Sequence, residues 1–125
     1  MTLLLDTHAL LWWLADDPAL TPEARAAIRD AETLVFVSAA TVWEISIKQA
    51  LGKLEAPDDL EAALAASRFQ PLPITVAHAL AAGRLPRHHD DPFDRMLIAQ
   101  AQYAQLRIVT HDPKFRLYDV AILWT

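Results

Sequence analysis

Cysteine is absent from this 125-residue chain, and glycine occurs only twice. The absence of cysteine excludes disulfide bonds, thiolate metal sites and thiol catalysis, and it fits a protein of the reducing cytoplasm. With so little glycine and 54% hydrophobic residues, the chain is expected to be compact and helix-rich rather than disordered. Its length predicts one domain over residues 1–125.

Long hydrophobic runs and an excess of basic residues are also missing. The longest apolar run, residues 9–15, is too short to cross a membrane, and Asp16 and Asp17 end it. No basic segment precedes Asp6, so a signal peptide is not expected. The formal net charge of −5 argues against broad, non-specific binding to duplex nucleic acid. Two bound divalent cations would bring this charge close to neutral, so acidity does not exclude nucleic-acid chemistry at one site.

Short apolar runs alternate with helical patterns along the chain. Strands are predicted at residues 3–5, 34–37, 71–74, 107–110 and 121–124. Helices are predicted at residues 8–15, 22–30, 39–51, 59–66, 76–82 and 92–104. Asp58 and Glu61 suggest a capping box for the fourth helix, and Gly83 suggests the end of the fifth. This alternation predicts an α/β fold with a parallel sheet.

Four acidic residues follow or interrupt apolar segments at the ends of these elements. Asp6 directly follows the first strand, Asp112 lies two residues past the strand at 107–110, and Glu44 and Asp94 lie on helices. Ligands of parallel sheets bind beyond the carboxyl ends of the strands, so all four can face one crevice. Carboxylates held together repel each other unless a cation neutralises them, and their oxygens suit Mg²⁺ or Mn²⁺. The sequence therefore predicts a metal-dependent phosphodiesterase.

Each acid also has a local structural explanation. Asp6 could cap a helix, Asp94 suits the first turn of one, and Asp112 could be a turn residue. Glu44 could form an ordinary ion pair with Lys48, four residues later. The apolar neighbours of Glu44 argue against a freely solvated position. Four such coincidences at equivalent edges are harder to dismiss than one.

The histidines and tryptophans allow two interpretations each. A zinc site is disfavoured because no H-E-x-x-H pattern occurs and adjacent histidines such as His88 and His89 point in different directions. We interpret the histidines as loop residues near the site that could contact phosphate. Three tryptophans, Trp12, Trp13 and Trp43, have apolar surroundings and are expected in the core or at an interface, with base stacking as the alternative.

Taken together, these residues resemble the PIN-domain family, specifically its VapC-like ribonuclease toxins, over essentially the whole chain. The resemblance rests on residues 4–12, 38–45, 85–101 and 110–115, in this order. Their central motifs read Leu5-Asp6-Thr7-His8, Thr41-Val42-Trp43-Glu44, Asp91-Pro92-Phe93-Asp94-Arg95 and Thr110-His111-Asp112-Pro113.

This resemblance implies a three-layer α/β/α fold with a central parallel sheet and a carboxylate site for Mg²⁺ or Mn²⁺, with two ions expected. It implies that metal-activated water hydrolyses RNA, and that a small antitoxin protein silences the enzyme. The matching catalytic and metal-binding positions are Asp6, Glu44, Asp94 and Asp112, with Thr110 as a supporting hydroxyl and Asp91 as a further acid near the metal. Basic residues flank these motifs and are expected to hold the RNA backbone: Arg87, Arg95, Lys114 and Arg116.

Two further expectations concern assembly and alternatives. A homodimer is expected because the apolar segments 8–15 and 41–51 carry three tryptophans, more apolar surface than one small sheet easily covers. A phosphotransfer domain or haloacid-type phosphatase is disfavoured, since His8 stands where the phosphatase requires a second aspartate. A catalytically inactive domain that only binds protein or RNA remains the alternative function.

Overall fold

The computed structural model describes all 125 residues and contains a five-stranded parallel sheet. The strands are β1 (Thr2–Leu5), β2 (Leu34–Ser38), β3 (Gln70–Leu72), β4 (Arg107–Thr110) and β5 (Ile122–Trp124). The helices are α1 (Thr7–Leu14), α2 (Pro22–Arg29), α3 (Ala39–Ala50), α4 (Leu60–Ala66), α5 (Val76–Arg84) and α6 (Pro92–Ala104), and a short 3₁₀ helix spans Pro113–Leu117. No helix is long and apolar enough to cross a membrane.

The strand order is β3-β2-β1-β4-β5, with β1 at the centre. Leu4 of β1 pairs with Phe36 of β2 and with Ile108 of β4 in parallel register. The order places the carboxyl ends of β1 and β4 side by side. Since Asp6 follows β1 and Asp112 follows β4, this topology decides where the two acids meet.

Side chains that alternate along the strands pack into two hydrophobic cores, one on each face of the sheet. Leu3, Leu5 and Val109 pack on one face with residues of α1, α2 and α3. Leu4 and Ile108 pack on the other face with α6. Successive residues of a strand point to opposite faces, so fully apolar strands are expected where both faces are covered. The predicted three-layer α/β/α fold with a central parallel sheet is confirmed.

Helix capping follows the local sequence in most places. Thr21, Ser38 and Asp91 cap α2, α3 and α6 through side-chain oxygens that accept backbone N–H groups. Gly52 has φ 69° directly after the end of α3, where a residue with a Cβ would be strained.

Other local predictions were wrong in detail. The cap of α4 is Asp59 rather than Asp58, because the Asp59 side chain accepts the N–H of Ala62. The capping box occurs instead on α5, where Thr75 and His78 bond reciprocally. Gly83 lies inside α5, which ends at Arg84.

Two segments are less buried than their apolar sequences suggest. In α1, Trp12, Trp13 and Leu14 are only partly buried, since a single sheet contacts one side of the helix. Leu34 at the start of β2 is 52% exposed because it lies at the end of the sheet opposite the acids.

Candidate active site

Asp6 lies at the end of β1 and is both a helix cap and a buried carboxylate. Its Oδ1 accepts the N–H of Ala9 at 2.9 Å, and its Oδ2 accepts the hydroxyl of Thr110 at 2.6 Å. Burial raises the pKa of Asp6, the bonds from Thr110 and Ala9 and the charge of His8 lower it, and the charge of Asp112 raises it. The capping explanation for Asp6 is correct, but it does not account for a carboxylate placed beside another acid.

Thr110 connects Asp6 to the end of β4. Its hydroxyl donates to Asp6 and accepts the N–H of Asp112 at 3.0 Å. Asp112 in turn caps the 3₁₀ helix, because its Oδ1 accepts the N–H of Lys114 at 2.9 Å. This chain of hydrogen bonds fixes both acids at neighbouring strand ends, and the supporting role of Thr110 at a metal site stays a prediction.

Glu44 projects from α3 into the same region and is buried. Its Oε1 accepts the hydroxyl of Thr7 at 2.5 Å, and its Oε2 accepts Lys48 Nζ at 2.6 Å. The ion pair expected from the spacing therefore forms, although with a buried rather than a solvated glutamate. The hydrogen bond that Lys48 donates to Glu44 raises the pKa of Lys48 against an opposing effect of burial, and the charges of Glu44, Asp91 and Asp94 raise it further.

Asp94 is the acid with the fewest partners. It occupies the first turn of α6, where the Oδ1 of Asp91 accepts its N–H at 3.1 Å. The side chain that faces its own carboxylate is His89, whose Nε2 lies 3.5 Å from Oδ2. Burial first, and then the charges of Asp91, Asp6, Asp112 and Glu44, raise the pKa of Asp94 to about 8.

The electrostatics of Asp94 link it to the other predicted acids. The charges of Asp91, Asp6, Asp112 and Glu44 all act on this one carboxylate. Lys48 is the basic side chain on which three of them act. Such a cluster destabilises its own ionised form and favours any bound cation.

The donor set fits a hard divalent cation, although the side chains do not enclose one as they stand. No group of three or more acidic or histidine side chains is close enough to hold a metal ion. Glu44 is engaged by Thr7 and Lys48, and Asp91 and Asp112 cap helices through one oxygen each. Asp94 has both oxygens without a hydrogen-bond donor, and carboxylate oxygens are the ligands that Mg²⁺ and Mn²⁺ prefer.

Comparison with known families decides the classification. The family model described as PIN domain matches residues 3–121, almost the whole chain. This chain belongs to the PIN domain family. No curated protein sequence is significantly similar to it.

Solved structures with the same fold as this PIN domain come from toxin–antitoxin complexes. VapBC2 from Rickettsia felis, bound to a DNA fragment from its promoter, superposes with a TM-score of 0.75 at 12% identity, covering 100% of this chain and 99% of that chain. A toxin–antitoxin complex from Klebsiella pneumoniae has a TM-score of 0.68 at 19% identity, with 96% and 94% covered. VapBC-1 from nontypeable Haemophilus influenzae has a TM-score of 0.68 at 21% identity, with 98% and 97% covered.

The basic residues expected at the RNA differ in how free they are. Arg95 donates five hydrogen bonds, four to backbone carbonyls around the end of α5 and one to the Tyr118 hydroxyl, so its guanidinium is occupied within the PIN domain. Arg116 lies over the ring of Trp124 at 4.7 Å. Arg87 is exposed near Asp90, at 3.6 Å. RNA binding by these residues and by exposed Lys114 stays a prediction. The contacts of Arg95 within the protein disfavour RNA binding by this residue.

Several residues around the site were not assigned by sequence reasoning. Thr7 adjoins Asp6 in the first motif, and its bond to Glu44 depends on packing of α1 against α3. Lys48 was identifiable from its spacing to Glu44, but not as part of the acidic crevice. His89 and Tyr118 pair across 29 residues of sequence, and no local pattern predicts this contact.

Trp43 borders the crevice and is exposed. It is 61% accessible, and its ring meets the edge of Phe93 at a centroid distance of 5.5 Å. Trp13, in contrast, donates to Ser67 at 3.2 Å and packs on Phe69, so it is partly buried at the edge of the core.

Proposed function

We propose that this PIN domain is a Mg²⁺- or Mn²⁺-dependent endoribonuclease and the toxin of a toxin–antitoxin pair. The observation that carries the proposal is the partly buried carboxylate of Asp94, which accepts no hydrogen bond and whose pKa is raised to about 8 first by burial and then by the charges of four other acids. A folded domain maintains such repulsion at a cost in stability, and a bound cation would relieve it.

The residues of the chain then have separate tasks. Asp6 and Asp112, fixed through Thr110, hold the strand-end side of the site, while Glu44 and Asp94 hold the helix side. When bound, one or two divalent cations would supply Lewis-acid activation of water and charge neutralisation at the phosphodiester. Lys48 and Thr7 orient Glu44, which must exchange one of these partners if it is to contact a cation directly.

The nuclease proposal is tested by cleavage of cellular RNA. Purified protein should cleave with Mg²⁺ or Mn²⁺ and not with EDTA. Asp94→Asn and Asp6→Asn should lower the rate by orders of magnitude, since each removes a charged ligand with little change in shape. Asp90→Asn is a matched control, because Asp90 is exposed and lies outside the cluster. An Asp94→Asn protein that cleaves at the wild-type rate would exclude this assignment.

An antitoxin partner is supported by the nature of the structural relatives and by the surface beside the site. The relatives are complexes named as toxin and antitoxin. An apolar groove of about 590 Å³ runs between α3, α4 and β3, and its wall includes Trp43, the residue before Glu44 in α3. A partner segment with apolar side chains could fill this groove and place a basic side chain against the acids.

The toxin proposal has its own test. Expression of the chain alone in cytoplasm should arrest growth, and co-expression with the product of an adjacent short gene should restore it. If purified protein cleaves RNA but expression is harmless, the toxin proposal fails while the nuclease proposal survives. The proposed homodimer is tested by light scattering at micromolar concentration. The exposed apolar side chains of Trp43 in α3 and of Leu51 directly after this helix support association.

An inactive binding module is the second candidate. Two observations favour it: the acids do not enclose a metal ion as they stand, and Lys48 already neutralises Glu44. Calorimetric titration with Mn²⁺ separates the two candidates. Binding that disappears in Asp94→Asn supports the nuclease, and absence of binding to the wild type supports the binding module.

A further inference from the structure

His89 contains a buried polar atom that no contact within the protein satisfies. Its side chain is only 8% exposed, and Nε2 has no hydrogen-bond partner. The same atom faces Asp94 Oδ2 at 3.5 Å, just beyond hydrogen-bonding distance. A buried donor without an acceptor costs about 1–3 kcal/mol, so its position requires an explanation.

The contacts of the Tyr118 hydroxyl favour one tautomer of His89. This oxygen lies 3.3 Å from the backbone N–H of His89 and 3.3 Å from Arg95 Nη1, and it accepts from both. Its own hydrogen is then directed to His89 Nδ1, at 2.7 Å. Since Nδ1 accepts, the neutral imidazole carries its hydrogen on Nε2, the atom that faces Asp94.

Arg95 holds this arrangement in place. Its guanidinium bonds to the carbonyls of Ala82 and Leu85 as well as to Tyr118. These bonds tie the end of α5 to the start of α6. The guanidinium of Arg95 is held by several carbonyls, so its hydrogen bond fixes the Tyr118 hydroxyl relative to Asp94.

We propose that His89 is a positioning residue for Asp94: its Nε2–H, oriented by Tyr118, holds Oδ2 of the aspartate and leaves the other oxygen free for a cation. The proposal rests on the metal site of the proposed function. Hydrogen-bonding partners of metal-binding carboxylates orient these ligands, and their loss commonly weakens metal binding about 10–100-fold. A short movement of either side chain closes the 3.5 Å separation.

Simple packing is the competing explanation. The His89 ring contacts the Tyr118 ring at a centroid distance of 5.3 Å, which explains its burial. Packing does not explain why the hydrogen-bearing nitrogen faces Asp94. The two explanations differ in what they predict for variants that keep or remove the donor.

Three variants and one control separate them. His89→Leu removes the donor, whereas His89→Gln retains an N–H group that can reach the same oxygen. Tyr118→Phe keeps the ring and removes only the hydroxyl that fixes the tautomer. His88→Leu is the matched control, because exposed His88 also contacts the Tyr118 ring, at 5.0 Å, and makes no contact with Asp94.

The first readout is Mn²⁺ affinity of the RNA-free protein, measured by calorimetry. We expect His89→Leu to bind about 10–100-fold more weakly, with Tyr118→Phe between it and the wild type. His89→Gln should stay within a few-fold of the wild type, and His88→Leu should be unchanged. If His89→Leu does not fold, the Mn²⁺ affinities of Tyr118→Phe and His89→Gln are compared with that of the wild type instead.

The second readout is the tautomer itself, from long-range ¹H–¹⁵N spectra at a pH where the imidazole is neutral. The wild type should show hydrogen on Nε2, and Tyr118→Phe a mixture. Hydrogen on Nδ1 in the wild type, or unchanged Mn²⁺ affinity in folded Tyr118→Phe and His89→Leu, would overturn the proposal. A wild type with the expected tautomer but no Mn²⁺ binding would instead refute the metal site on which the proposal rests.

Discussion

Removing the charge of Asp94 should stabilise the metal-free protein, and the gain should grow with pH. The pKa of this carboxyl rises from 3.8 in the unfolded chain to about 8 in the folded one. Between these values the folded state keeps the proton and the unfolded state releases it. Stability contributed by this group is therefore complete below about pH 4 and is lost as the pH rises to about 8.

The size of the effect follows from the same shift. One pKa unit corresponds to about 1.4 kcal/mol, so a rise of about four units gives a ceiling of about 6 kcal/mol above pH 8. At pH 5 only about 1.6 kcal/mol of this cost is present, which leaves about 4 kcal/mol to appear between pH 5 and pH 9. The side chain is 20% exposed, and the nearby Lys48 screens part of the repulsion, so the measured value should lie below the ceiling.

Thermal or urea unfolding in EDTA tests this expectation. The difference in unfolding free energy between Asp94→Asn and the wild type should increase by several kcal/mol from pH 5 to pH 9, equivalent to roughly 10 °C or more in Tm. Asp90→Asn should show no such trend. Saturating Mg²⁺ should stabilise the wild type more at pH 8 than at pH 6, and should hardly affect Asp94→Asn. A difference that stays constant within about 0.5 kcal/mol over this range would refute the argument that the acids converge on Asp94.

Three further predictions concern the groups that hold the site. Lys48→Met should destabilise the metal-free protein by about 1–3 kcal/mol, since the buried Glu44 loses its partly exposed counter-ion, and Mg²⁺ should restore part of the loss in a thermal-shift assay. Thr110→Val should cost about 1–3 kcal/mol in urea unfolding, because the carboxylate at the end of β1 loses a donor; an unchanged midpoint would contradict its role. Arg95→Met should destabilise the fold by more than about 2 kcal/mol, whereas Arg87→Met, at an exposed position, should have little effect.

Most helices and strands, and the parallel α/β class, could be predicted from the sequence because their causes are local. Apolar runs such as residues 34–37 mark strands, and Thr21, Ser38 and Asp91 mark helix starts, since capping requires only neighbouring N–H groups. The small errors, at Asp59 and Gly83, concern element ends, where one residue more or less changes the energy little.

The sequence also determined which acids stand at element ends, but only the tertiary structure decided that they meet. The strand order places β1 beside β4, which brings Asp6 to Thr110 across 104 residues of sequence. The tertiary structure also decided the contacts of Arg95. This residue was expected at the RNA, but its guanidinium donates to backbone carbonyls at the end of α5. Contacts between distant residues depend on how helices pack on the sheet, and no pattern of spacing along the chain records that packing. The pKa of Asp94 is the clearest case, because burial and four acids from different elements produce it together.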